Sequence, residues 1–116
     1  MTICPAIPTN LLDIPAGPSG QERFEKILCR AGTKIERIIS YGHRTPQDCP
    51  YLQQWDEWVT LLAGSAELQL EGMGLYRLRV GDHLLIPAGV AHWVTHCDDP
   101  TIWLAVHVGK KADTTP

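Results

Sequence analysis

His92 occupies the most constrained frame in the chain. Gly81-Asp82 makes a turn that launches the apolar run His83-Leu84-Leu85-Ile86. Pro87-Ala88-Gly89 ends that run, and after two more residues His92 opens another strand. Gly tolerates backbone angles that other residues avoid and Pro presets its own, so the two turns leave the imidazole little choice of direction. A held imidazole can move a proton near neutral pH or ligate a divalent metal. Glu57 supplies a carboxylate at the head of the apolar run Trp58-Val59-Thr60-Leu61-Leu62-Ala63, a place that argues against a solvated edge residue. His96 follows His92 by four residues, and period-two alternation puts both side chains on one side of the strand.

The elements that must position these groups read as strands. Residues 1–21 carry four prolines and two glycines and form an extended arm, in which Ile7, Leu11, Leu12 and Ile14 could dock against a sheet. Residues 22–109 form the body, and 110–116 a polar tail. Within the body, apolar and β-branched runs at 24–30, 33–41, 57–63, 66–71, 75–80, 83–86, 92–97 and 102–108 alternate with Gly-containing and Pro-containing turns. About eight short strands predict an all-β sandwich or barrel. Only 22–28 competes as a helix, and its spacing is weak. The irregular segment 42–54 is long for so small a domain, and such loops more often line sites than merely connect strands.

With 116 residues there is room for one domain and one core. Apolar residues at 44% and charged residues at 20% are ordinary for a soluble globule. A net charge of -3, with Lys110-Lys111 the only basic doublet, argues against nucleic acid or an anionic membrane as partner. No apolar run reaches the length of a membrane span, and the first residues lack a signal peptide's charged start and long apolar stretch. Cys4, Cys29, Cys49 and Cys97 are widely spaced without a Cys-x-x-Cys pair, which argues against a thiolate zinc site or a disulfide-stapled secreted domain. The expectation is a cytoplasmic protein with reduced thiols, Cys97 serving as a small buried hydrophobe.

The spacing Gly81, five residues, Pro87, one, Gly89, two, His92 resembles the second signature of the cupin superfamily. Glu57 through Gly64 resembles the Glu-to-Gly half of the first signature. The His-x-His pair that normally precedes that Glu is missing. Tyr51 and Gln53 stand at its positions under the tighter spacing, and Pro50 and Leu52 under the looser one. His96 replaces a frequent Asn. Together the two halves and the strands around them cover 33–108, and the runs around Trp55 to Val59 and Trp103 to Val108 are similar to small stand-alone bacterial cupins of the conserved-barrel type.

The resemblance implies a double-stranded β-helix, the jelly-roll cupin barrel, often dimeric. It implies that Glu57 and His92 point inward from neighbouring strands, as catalytic residues and as ligands of one divalent metal ion, Fe, Mn, Ni or Zn. His96 and Gln53 are the further candidate ligands; Tyr51, Gln53 and Trp55 are candidates to contact substrate. His43 is read as a surface loop residue, His83 as structural or exposed; for His107, which shares parity with Trp103 and Ala105, cavity, interface and core roles stay open. Trp58 and Trp93 neighbour Glu57 and His92 in sequence, so alternation turns them to the opposite side, beneath the N-terminal arm or a second subunit. The preferred expectation is a homodimeric cupin that binds a small molecule through the metal, with isomerase, lyase or dioxygenase chemistry. The alternatives are a metal-free small-molecule-binding or sensor cupin, and a structural dimer with a vestigial pocket.

Overall fold

The computed structural model describes residues 7–14 and 20–109. Residues 1–6 and 15–19 of the expected arm, with Cys4, and the expected tail 110–116 with its basic doublet lie outside the described residues. Eight strands follow in order: β1 Arg23–Arg30, β2 Thr33–Ser40, β3 Asp56–Ala63, β4 Ala66–Leu70, β5 Gly74–Leu78, β6 His83–Ile86, β7 His92–Cys97 and β8 Thr101–Val108. Among the described residues there is no helix, and none is therefore long and apolar enough to cross a membrane. The weak helical alternative at 22–28 gives way to β1, which pairs antiparallel with β2 from Arg23↔Ile39 to Arg30↔Thr33.

The strands form two antiparallel sheets, ordered β1-β2-β8-β3-β6 and β5-β4-β7. Alternation decides which faces meet. Ala66, Leu68 and Leu70 of β4 are buried, as are Glu57, Val59 and Leu61 of β3 and Trp103, Ala105 and His107 of β8. Val59, Leu61, Leu68, Leu70, Leu78, Ile86, Trp103 and Ala105 close into one core cluster between the sheets. Burying one such side chain contributes roughly 1.5–3 kcal/mol.

Gly64 ends β3 in the left-handed region at φ +81°, and a Cβ there would stand 2.8 Å from the Pro100 carbonyl oxygen and the Thr101 hydroxyl. Only glycine permits that approach of the β3–β4 turn to the start of β8. The described part of the arm is tied to the large sheet by Arg37, whose Nη1 donates to the carbonyls of Leu11 (2.9 Å) and Asp13 (2.7 Å).

Candidate ligand cavity

The long segment before β3 is not loose. The amide of Tyr51 donates to the His92 carbonyl and that of His92 to Tyr51, both at 2.9 Å, and the Gly89 amide donates to the Gln53 carbonyl at 2.7 Å. Gly89 adopts φ +81°, so the glycine that ends the β6 turn also anchors this loop. The bonds give 51–53 the alternation of a strand: Tyr51 and Gln53 turn into the barrel while Leu52 is 57% exposed. The tighter of the two spacings is therefore the one realised.

These elements enclose a cavity of about 80 Å³ at one end of the barrel. Glu57 and His92 meet there, with His92 Nε2 3.6 Å from Glu57 Oε1, both residues more than nine-tenths buried. Gln53 donates its side-chain amide to Glu57 Oε1 at 2.9 Å, and the Tyr51 ring stacks on His92 with centroids 5.6 Å apart. His107 also lines the cavity, its Nε2 2.9 Å from Glu36 Oε2 and 4.0 Å from Glu57 Oε2. Apolar walls come from Ile38, Val59, Leu68, Ile86, Val94 and Trp103. Partly buried Glu22 and the exposed Phe24 and Tyr51 form the mouth.

The hydrogen bonds give the two imidazoles opposite tautomers. Trp55 Nε1 lies 2.8 Å from His107 Nδ1. An indole N–H only donates, so Nδ1 of His107 accepts and its Nε2 carries the proton, donated to Glu36. His92 Nδ1 lies 3.0 Å from the Val90 carbonyl and donates to it, so Nε2 is the atom that faces the cavity and Glu57, a lone pair when the ring is neutral and a donor when it is protonated. Burial pushes the Glu57 carboxyl up, but His92, the Gln53 amide and the nearby His107 together hold it below the ordinary carboxylate value. The Tyr51 phenol is pushed up to about 12, first by burial and then by the charges of Glu22, Glu57 and Cys49 and a hydrogen bond to Glu22.

Two of the expected site residues lie elsewhere. His96 does not share a side with His92, because β7 carries a bulge: Val94 pairs with Leu68 and His96 with Glu67, leaving Thr95 as the extra residue. The bulge reverses the parity, so His96 is 54% exposed and lies 3.8 Å from Asp98, while Cys97 turns inward. Trp55 does not line the cavity. It sits in the bend before β3, where strand alternation does not yet apply, and acts from behind His107. His43 accepts from the Tyr41 amide at 2.9 Å and serves the loop, and His83 pairs with Trp58 at the surface. The carboxylates of Glu22, just before β1, and Glu36, in β2, were not read from the sequence, since nothing local marks them among the other charged residues of that region.

Four donors were expected for a metal: Glu57, His92, His96 and Gln53. His96 is outside, and Gln53 turns its amide nitrogen, not its oxygen, to Glu57. His107 presents a proton rather than a lone pair. Among the described residues no group of three His, Cys, Asp or Glu side chains is arranged to hold a metal ion. Two donors remain where imidazole–carboxylate sites use three or four. The residues present do not fit a resident divalent metal.

Two sheets closed into a jelly roll, with a polar cavity lined by the Glu and His of the two signatures, define a cupin barrel. Residues 40–107 match the Cupin_2 family, the cupin domain, and the chain belongs to it. A proposed mannose-6-phosphate isomerase from Ralstonia eutropha JMP134 is 43% identical, with 86% of this chain and 95% of that one covered at a TM-score of 0.79. The DMSP lyase DddQ from Ruegeria pomeroyi DSS-3 is 27% identical at a TM-score of 0.61; the match covers 70% of this chain but 40% of that protein. A cupin of Methanocaldococcus jannaschii with a double-stranded β-helix fold shares the fold at 14% identity, a TM-score of 0.67 and coverage of 90% and 94%. A comparison with curated proteins returns no match.

Proposed function

We propose that this cupin binds a small molecule in the barrel cavity against Glu57 and His92, without a resident metal. One observation carries the reading: among the described residues no hydrogen bond reaches His92 Nε2 or Glu57 Oε2, although both side chains are buried and line the void. Among the described residues no fully buried side-chain nitrogen or oxygen lacks a hydrogen-bond partner, so these two atoms are open to the void and free to bond what enters it. A neutral imidazole lone pair beside a carboxylate can also take a proton from a bound molecule, so the same pair supports acid–base catalysis.

The metal-assisted isomerase, lyase or dioxygenase reading lacks its third protein donor. The sugar-phosphate activity proposed for the Ralstonia relative meets a different obstacle. Phosphate recognition uses Arg or Lys, and no such residue lines this cavity. We also propose a homodimer, formed through the outer face of the large sheet. There Ile35, Val106, Trp58 and Leu85 make one continuous cross-strand apolar row, with Leu85 50% exposed. Free thiols at Cys29, Cys49 and Cys97 support a cytoplasmic location.

Metal analysis of protein purified without added ions tests the central claim. The expected result is substoichiometric metal and no gain in melting temperature on adding Mn, Fe, Ni or Zn. Near-stoichiometric metal that disappears in the Glu57→Ala, His92→Ala double variant overturns it.

A further inference from the structure

The charges around the cavity are one-sided. Glu22, Glu36 and Glu57 line it, and no Lys or Arg does. Glu36 is compensated: His107 donates to it at 2.9 Å, and Lys34, outside the lining, approaches it at 3.8 Å. Glu22 accepts from the Ser40 hydroxyl, at 2.6 Å. Glu57 accepts from the neutral Gln53 amide. Two carboxylates thus face the void with no Lys or Arg bound to them; the ring nitrogens nearest Glu57 are His92 Nε2 at 3.6 Å and His107 Nε2 at 4.0 Å.

The free valences have the same polarity. His92 and Glu57 are only 4% and 6% exposed, and each directs an atom into the cavity that takes no hydrogen bond: the Nε2 lone pair and Oε2. Both are acceptors. A bound molecule must therefore bring donors. Phe24, Tyr51 and Trp103 add aromatic surface, which favours positive charge further.

Resting on the reading of this cavity as a binding pocket, we propose that its ligand is a small organic cation bearing N–H donors: a protonated amine with a short apolar body. An ammonium group supplies the three donors and the charge that Glu57, His92 and Glu22 lack, and its carbon chain lies along the apolar walls. A carboxylate or a phosphorylated sugar brings acceptors and like charge into the same space, which is repulsive and offers Glu57 and Glu22 no donor.

Matched probes test this on the full chain. n-Butylammonium, n-butanol and butyrate share one shape and differ in charge; mannose 6-phosphate completes the set. Each is titrated while the Trp103 indole resonance and other cavity signals are followed by NMR. Butylammonium is expected to bind, butanol about tenfold or more weaker, and the two anions not at all. Glu57→Gln should weaken butylammonium about tenfold or more. Glu22→Gln, at the partly open mouth, should weaken it a few-fold and keeps the test valid if Glu57→Gln fails to fold. Butyrate or mannose 6-phosphate binding in the cavity more tightly than butylammonium overturns the cation and leaves the pocket standing. Unchanged butylammonium affinity in a folded Glu57→Gln or, failing that, in Glu22→Gln also overturns it. If no probe shifts any cavity resonance, the pocket reading falls with it.

Discussion

Glu57 and Leu61 lie on the same strand and point to the same side, yet they occupy opposite media. Across β8, Glu57 pairs with His107 and Leu61 with Trp103. Leu61 is fully buried in the core cluster with Leu68, Leu70 and Leu78, whereas Glu57 faces a void edged by carboxylates and imidazoles. Four residues along one strand separate the end of the barrel that holds it together from the end that can act on a ligand. Close packing at one end supplies the stability that allows polar side chains to line a void at the other.

The largest effect that could break this comparison is at the filled end. Leu61→Ala should cost about 3 kcal/mol, read by urea denaturation, because the surrounding side chains cannot all close the hole. A loss below about 1 kcal/mol would mean that the filled end is not packed as a core. Trp55→Phe comes next. Removing the indole donor should cost about 1 kcal/mol and release His107 from its single tautomer, visible as averaged ring 15N shifts. Unchanged shifts would show that Trp55 does not set that tautomer.

Acid sharpens the contrast from the polar side. Glu57 is held below its ordinary value in the folded state, so the unfolded chain binds more protons as pH drops below the usual carboxylate range. The stability Glu57 contributes is therefore present at neutral pH and lost on that acid limb. Glu57→Gln should show a shallower acid limb in thermal unfolding than the unaltered protein, and matching limbs would remove Glu57 as the cause. The smallest effect is alkaline. Tyr51 titrates near 12, so its contribution holds below pH 10 and is lost as pH rises from there toward 12. Ultraviolet titration should find one of the three tyrosines near 12, absent in Tyr51→Phe.

Much of this contrast was legible in the chain. Turn residues and alternation marked all eight strands to within a few positions, since Gly and Pro act locally and period-two burial needs only a sheet with one buried face. The spacing from Glu57 to Gly64 and from Gly81 to His92 was likewise local. His96 was misplaced for a physical reason: one extra residue, Thr95, is invisible until β7 is paired with β4, and it reverses every side chain after it. Trp55 was misplaced because parity was extended into a bend. His107 could be assigned neither to cavity nor to interface, as its partners Trp55 and Glu36 lie 52 and 71 residues away.

The order of residues alone determined that this protein is a β barrel of the cupin kind, with Glu57 and His92 at the heads of their strands. Hydrophobic alternation and turn chemistry depend on near neighbours, and these are written consecutively in the chain. Tertiary structure alone decided the character of the cavity: which carboxylates share it, which imidazole presents a proton and which a lone pair, and how few donors are left for a metal. Those properties come from contacts across strands far apart in sequence, where a single bulge or one indole N–H changes the outcome.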